Sequence, residues 1–411
     1  MKGRRDRSAY VVLNGLKQGL RPLYHRARSQ VAAARILRDQ RGRGAPSLPL
    51  PPQQSPFAAG DWEMIGGDGA GWLADQFYKV RSLVFDRGTL FASLTGPTQE
   101  GPCGEVWAFS DGAWSRIGGS ERSSWPAEQA FVDQLALHGR SLYACAAKRL
   151  WRYDGNRWTD AAGPLPVKDK AGPYAFAEMD RELAVSFWGD PAVCVFDGTA
   201  CKRLPDPDDG WGANARTVYC LAMFQGKLYA GTGTGKLSGS ASSVYRFDGG
   251  RWEKVGGAGI RGSWAQEGVP FVLSLTVFGA QLVATLSRPA GTPAAASNVW
   301  AFDGDEWRPV GRGLTPALMA NSSIMNDAKI FNGHLVVATG DSDRRDVRVW
   351  TLDAEQHWHD VSGDALNGSA NGRPGGYWIY SLCVGDDQLY AGTAGHQGSA
   401  RVFRWKPRAT T

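Results

Sequence analysis

The phrase VWAFSDGAWSRIGG at 106–119 returns as LWRYDGNRWTDAAG at 150–163, VYRFDGGRWEKVGG at 244–257 and VWAFDGDEWRPVGR at 299–312. Worn copies stand at 193–206, VCVFDGTACKRLPD, and at 349–363, VWTLDAEQHWHDVSG. Self-similarity at a period of roughly 50 residues confines a chain to a repeat architecture, in which each unit buries its apolar face against its neighbours. Within each copy an apolar strand runs into an Asp-Gly turn and out again into a strand bearing Trp, the pattern of a β-hairpin.

Two further strands precede each hairpin. The first is an apolar run such as VRSLVF (80–85), VYCLAMF (218–224) or VLSLTVF (272–278), and the second reads GKLYAGT (226–232), AQLVATL (280–286) or DQLYAGT (387–393). Four such strands make one propeller blade. First strands occur seven times, at 80–85, 132–137, 174–179, 218–224, 272–278, 325–331 and 379–384. Fourth strands after residue 100 occur six times, centred on residues 114, 158, 201, 252, 307 and 358, and the seventh unit stops at RVFRWKP (401–407). GDWEMIGGDG at 60–69 matches GGRWEKVGGAG at 249–259. The pattern therefore predicts an all-β, seven-bladed β-propeller over 58–407, its last blade completed by an outer strand from the N-terminal side. Closure of this kind removes a free sheet edge.

These strands, with an aromatic hairpin and a Trp on the fourth, resemble kelch-type propellers, the architecture of the central domain of galactose oxidase. The resemblance covers 61–407 and implies fold alone. LYAGT stands where the kelch Gly-Gly step would be, and the turn before Trp is the short DGxxW, so the chain is kelch-like rather than a regular member. Propeller folds serve enzymes, lectins and scaffolds alike.

Charge divides the chain. The net charge is +6, but residues 1–44 hold twelve Lys or Arg against Asp6 and Asp39, and the remainder holds 34 basic and 38 acidic residues. The mildly acidic body is not expected to bind nucleic acid. Apolar residues at 13, 16, 20, 23, 27, 31 and 34 step by three and four, as in an amphipathic helix, although Gly15, Gly19 and Pro22 would kink it. The chain thus divides into a basic, partly helical or disordered arm (1–43), a Pro-rich linker (44–57), the propeller (58–407) and a tail (408–411). The arm reads as a disordered tail, as a segment docking to an anionic membrane surface or a partner protein, or as a targeting peptide. No apolar run is long enough for a transmembrane helix, and no secretory signal is read, so a cytoplasmic or peripheral membrane location is expected.

An aromatic residue lies seven positions before the fourth-strand Trp in Trp107/Trp114, Trp151/Trp158, Tyr245/Trp252 and Trp300/Trp307, and eight before it in Trp350/Trp358. Such spacing across a hairpin predicts two rings side by side, a structural staple. In the third unit both positions are Cys, Cys194 and Cys201, a candidate disulfide or a pair of buried thiols. Cys103, Cys145, Cys220 and Cys383 are scattered, and neither they nor the six His form a metal-ligand pattern. DPDDG (206–210) and GDSDRRD (340–346) lack the full calcium-loop pattern and read as polar turns. No metal or cofactor is expected.

A second repeat lies on the links between units. Trp72, Trp125, Trp211 and Trp264 follow the fourth-strand position by 10–12 residues, and a polar residue follows each three positions later: Asp75, Glu128, Asn214 and Glu267. Leu318 and Asn321 hold these places in the fifth link. An aromatic plate beside a polar group suits sugar binding; it equally suits a wedge between blades. No HExxH, phosphate loop or GxSxG elbow occurs. Weaker catalytic candidates are Arg81, Asp133, Tyr219, Asn326, Asp327 and Tyr380, one or two from several first strands. The function expected is non-enzymatic binding of a glycan or protein ligand on the link face, by a monomer. A polysaccharide hydrolase or lyase at the channel mouth and a pure interaction scaffold are the alternatives.

Overall fold

A computed structural model describes residues 55–407 without 58–59 and several segments between strands, the longest being 234–241, 265–270, 288–297, 312–323 and 367–377. The arm, most of the linker and the tail lie outside the described residues. Among the described residues nearly all regular structure is strand, with one short helix at Gly363–Leu366.

The four strands of each unit pair antiparallel in chain order. In the second unit these are Val132–His138, Ser141–Ala146, Arg149–Tyr153 and Trp158–Asp160. In the fourth they are Thr217–Phe224, Lys227–Gly233, Ser243–Phe247 and Trp252–Gly257. In the last unit Trp378–Gly385, Gln388–Ala394 and Val402–Pro407 are followed by Gly60–Gly66, which lies antiparallel on Val402–Pro407 with Trp62 opposite Trp405. Glu63 and Arg404 form an ion pair across that seam at 2.7 Å. The first strand of each unit adjoins the first strand of the next, and Trp378–Gly385 returns to Lys79–Asp86. The first strands thus encircle an axis and the fourth strands form the rim, which is the architecture of a β-propeller.

One Asp-Gly spelling produces two turns. Between Ser110 and Ala113, Asp111 and Gly112 both take positive φ (52° and 78°), giving a two-residue turn matched to strand twist. At Asp154, Asp197, Asp248 and Asp303 the loop has four residues, and the carboxylate accepts two backbone N–H groups, two and three residues ahead. These hydrogen bonds hold the Asp154, Asp197 and Asp248 carboxyls below the usual range.

The rim is held by a three-ring device. The register places Trp114 opposite Phe109 and Trp307 opposite Phe302, so aromatics seven apart are diagonal rather than side by side. The link Trp bridges them: Trp72 meets Trp107 and Trp114 at 5.8 and 5.1 Å, and Trp264 meets Trp300 and Trp307 at 5.9 and 5.0 Å. The fourth-strand Trp then reaches the preceding unit. Trp114, Trp158 and Trp307 donate their indole N–H to the carbonyls of Ile65, Ile117 and Val255 at 2.6, 2.9 and 2.8 Å. The glycine after that carbonyl is the seat: a Cβ on Gly118 would lie 2.6 Å from Trp158 Nε1 and 2.8 Å from Trp125 Cη2. The Gly-Gly ending of the phrase therefore serves the next unit's Trp.

The third unit lacks this device. Cys201 stands opposite Phe196 and Cys194 opposite Arg203, a diagonal placement, and both thiols are free. Diagonal cross-strand neighbours are too far apart for a bridge, so of the two readings of the pair the geometry favours separate thiols. Burial pushes both thiols up to about 12. Leu165 and Val167 pack with the two cysteines in place of the missing rings.

Candidate ligand-binding site

The link tryptophans are not open to a ligand. Trp72, Trp125, Trp211 and Trp264 are 2%, 3%, 6% and 3% exposed, wedged against the aromatic hairpin of the following unit. Asp75, Glu128, Asn214 and Glu267 lie outside the described residues. With these rings covered by neighbouring indoles, the sugar platform expected there is corrected to an inter-blade wedge.

The inner strands carry a different device at the end where they begin, the end the links reach. Each has a register slip two or three residues in: between Val80 and Ser82, Val132 and Leu135, Pro173 and Phe176, Val218 and Cys220, Val272 and Ser274, Met325 and Asp327, and Ile379 and Ser381. A β-bulge leaves a residue out of the ladder and re-aims its side chain. The residues so displaced include Arg81, Asp133, Tyr174, Tyr219, Leu273 and Tyr380. Arg81, Tyr174, Tyr219, Leu273 and Tyr380 line an axial cavity of about 400 Å³. Of the residues singled out in the sequence, the structure thus gathers Arg81, Tyr219, Tyr380 and Asp327 on the cavity wall, with Asp133 against Arg81. Tyr174 was missed; its only sequence signal is its place at the head of a first strand.

Arg81 is the centre of the cluster. It is buried, its guanidinium lies 4.5 Å from the Tyr174 ring centroid and 5.0 Å from that of Tyr380, and its Nε is 3.5 Å from Asp133. Lys79 Nζ lies 4.5 Å from the centroid of the same Tyr380 ring. Cations over aromatic faces are held by the ring quadrupole and positioned without a full complement of carboxylates. Burial, and then the neighbouring Arg81, push Lys79 down to about 8, while Asp133 offsets part of this. Burial disfavours the Arg81 charge, but Tyr174, Asp133 and Tyr380 outweigh it and hold the group above its ordinary value. Burial raises the phenols of Tyr174 and Tyr219, so both remain neutral hydrogen-bonding groups. Tyr174 and Tyr219 meet edge to face at 5.5 Å, and Tyr219 and Phe271 at 5.1 Å.

Asp327, although it lines the same cavity, is engaged in a structural set. Its Oδ2 accepts the Leu382 N–H at 2.9 Å, while Oδ1 accepts from Ala328 N and Lys329 Nζ at 2.9 and 2.7 Å. Ser381 and Ser82 occupy the same place in their units and accept the N–H groups of Leu83 and Leu135 at 2.9 and 3.2 Å. Asp327 is therefore a clasp between inner strands, its lone pairs engaged, and not a free acid. The structure describes no side chain for Asn326.

The remaining candidates scatter. His357 and His359 are exposed and share Asp353 at 3.5 and 2.6 Å. Asp206 in the DPDDG turn accepts from Arg203 and from the Trp211 indole. Among the described residues no group of His, Cys, Asp and Glu is arranged to hold a metal ion, and no helix is long and apolar enough to cross a membrane.

Comparison with known proteins gives a fold. No family model matches the chain, and no curated protein matches it. Among solved structures, the extracellular domain of a protein assigned to a hybrid two component system in B. thetaiotaomicron superimposes with a TM-score of 0.57 at 11% identity, over 84% of this chain and 39% of that one. The β-propeller domain of the Trilobed protease from Pyrococcus furiosus gives 0.48 at 11% identity, over 80% of this chain and 96% of that one. Phage phi92 endosialidase gives 0.47 at 11% identity, over 86% and 70%.

Proposed function

We propose that the protein is a binding propeller that takes an acidic sugar, a uronate-type saccharide, at the axial mouth. The observation that carries this reading is the ring of bulges, which turns Arg81 and three tyrosines toward the axis while Lys79 stands beside them. Asp133 is the acid beside Lys79 and Arg81, and the cavity's other acid, Asp327, is already paired with Lys329. A carboxylate entering the mouth offsets with its charge the desolvation that depresses Lys79 and gains charge-assisted hydrogen bonds from Arg81. Neutral tyrosines supply hydroxyls for sugar hydroxyls and rings for the apolar face of a pyranose. The units, completed at 60–66, make a seven-bladed ring in this reading, and the kelch likeness rests on the aromatic hairpin alone. The basic arm (1–43) serves as a tether to an anionic surface or a partner.

Isothermal titration with galacturonate and with glucose tests the reading. Galacturonate is expected to bind, glucose to bind far more weakly, and Arg81→Met to lose galacturonate binding while keeping the melting temperature near that of the parent. Equal binding of both sugars, or full binding by Arg81→Met, overturns it. A polysaccharide hydrolase or lyase at the same mouth has less support. Asp133 is ion-paired, and Asp327 is occupied by backbone and lysine donors. Turnover of a polysaccharide panel that disappears in Asp133→Asn would favour that enzyme.

A further inference from the structure

One residue on the mouth breaks the pattern of its position. Residues at or near the ends of the second strands face the first residues of the inner strands. At that place stand Thr95 opposite Lys79, Ala146 opposite Val132, Gly233 opposite Thr217, Ser287 opposite Phe271, Gly340 opposite Ile324 and Ala394 opposite Trp378. All are small. In the third unit the place opposite Gly172 belongs to Trp188, which is 55% exposed, the largest exposed apolar side chain among the described residues. It also pairs across the unit boundary with Thr217. The ladder partners of Trp188, Gly172 and Thr217, therefore each stand two strand positions, about 7 Å, before Tyr174 and Tyr219. Phe131, 43% exposed, directly precedes the strand that carries Asp133.

We infer that the ligand is a chain and not a single sugar. Arg81 and Lys79 hold one acidic residue in the axial recess, and Trp188, with Phe131 beyond it, stacks on a further residue of the same chain where it passes over units two to four. This rests on the acidic-sugar reading. It adds an outer subsite on the rim of the mouth, on residues that the recess does not use. An indole left in water at a place that otherwise takes Thr, Ala, Gly or Ser has no core to fill. Beside a cationic, tyrosine-lined recess it suits the flat apolar face of a pyranose in an anionic oligosaccharide.

The test compares galacturonate with its hexamer on the full chain, for the parent, Trp188→Ala, Trp188→Phe and Arg81→Met. The hexamer is expected to bind the parent more tightly than the monomer. Trp188→Ala should weaken the hexamer by about three- to tenfold, the range of an aromatic stacking contact. It should leave the monomer unchanged and the melting temperature unmoved, and Trp188→Phe should restore most of the loss. Arg81→Met should abolish both ligands. If Trp188→Ala leaves hexamer affinity unchanged while Arg81→Met abolishes it, the outer subsite is overturned and the acidic-sugar reading stands. If neither uronate binds the parent, both fall. Tight, Trp188-dependent binding of poly-glutamate in place of the uronates overturns the sugar chain in favour of an acidic polypeptide.

Discussion

On the outer rim, Trp114, Trp158 and Trp307 do one task with one residue, each indole donating to the preceding unit. On the inner strands, one bulge recurs in every unit but presents Arg, Asp, Tyr or Leu. The rim repeats in chemistry; the axis repeats only in geometry. Identical residues suit a load shared equally among neighbours, because each interface must bury the same area. Dissimilar residues at one repeated position serve no packing symmetry, and a ligand, which is itself asymmetric, is the natural reason for them.

This contrast is broken first by exchanging the two kinds of residue. Trp307→Ala removes a buried indole, its hydrogen bond to Val255 and the ring that covers Trp264. It is expected to cost about 3–5 kcal/mol in chemical denaturation, as large-to-small core changes do, and to leave uronate affinity in the surviving folded fraction unchanged. Arg81→Met should invert the result, with little change in denaturation midpoint and loss of detectable uronate binding. A large loss of stability in Arg81→Met would mark the inner ring as structural too.

The pH dependence sharpens the contrast further. Lys79 titrates at about 8 in the fold, depressed by burial and Arg81 from 10.5. The folded protein holds fewer protons than the unfolded chain between these values, so Lys79 makes the fold more stable as pH rises from 8 toward 10.5. Anion affinity should run the opposite way and fall severalfold above pH 8 as the ammonium is lost. The neighbours that set this behaviour are Arg81, Asp133, Tyr78 and Tyr380. Titration calorimetry from pH 7 to 9.5 in buffers of different ionisation enthalpy should detect proton uptake on binding, and Lys79→Met should flatten the profile. The smallest effect belongs to the rim turns. Asp248→Ala unties two backbone N–H groups on an exposed loop and should lower stability by about 1 kcal/mol or less.

The hairpin phrase made the strands, their pairing and the displaced strand at 60–66 legible, because alternation and turn residues act locally. The link tryptophans misled because a ring that packs and a ring that stacks on sugar are spelled alike; only burial separates them. The cysteine pair left two readings open for a different reason. Across that loop Val195 and Lys202, also seven apart, stand opposite each other, so the cysteines are diagonal only because of where the turn is centred, which the letters DG alone do not show. Arg81, Asp133, Tyr219 and Tyr380 were legible as polar or aromatic residues on apolar strands. Tyr174 and Trp188 were not, since a register slip leaves no trace in composition and Trp188 stands out only once its counterparts Thr95, Ala146 and Gly233 are aligned by pairing.

The seam between Gly60–Gly66 and Val402–Pro407 also sets a clock on biosynthesis. Glu63 leaves the ribosome 341 residues ahead of Arg404, its partner. At a synthesis rate of about 5–20 residues per second, that is a wait of roughly 20–70 s. Through that interval the strand bearing Trp62 has no sheet to join, and the last three strands have an unpaired edge once made. Closure is then the final step of folding, reserved for chains translated to their last blade, and a message cut short before that point yields a product with an open flank that quality control can recognise.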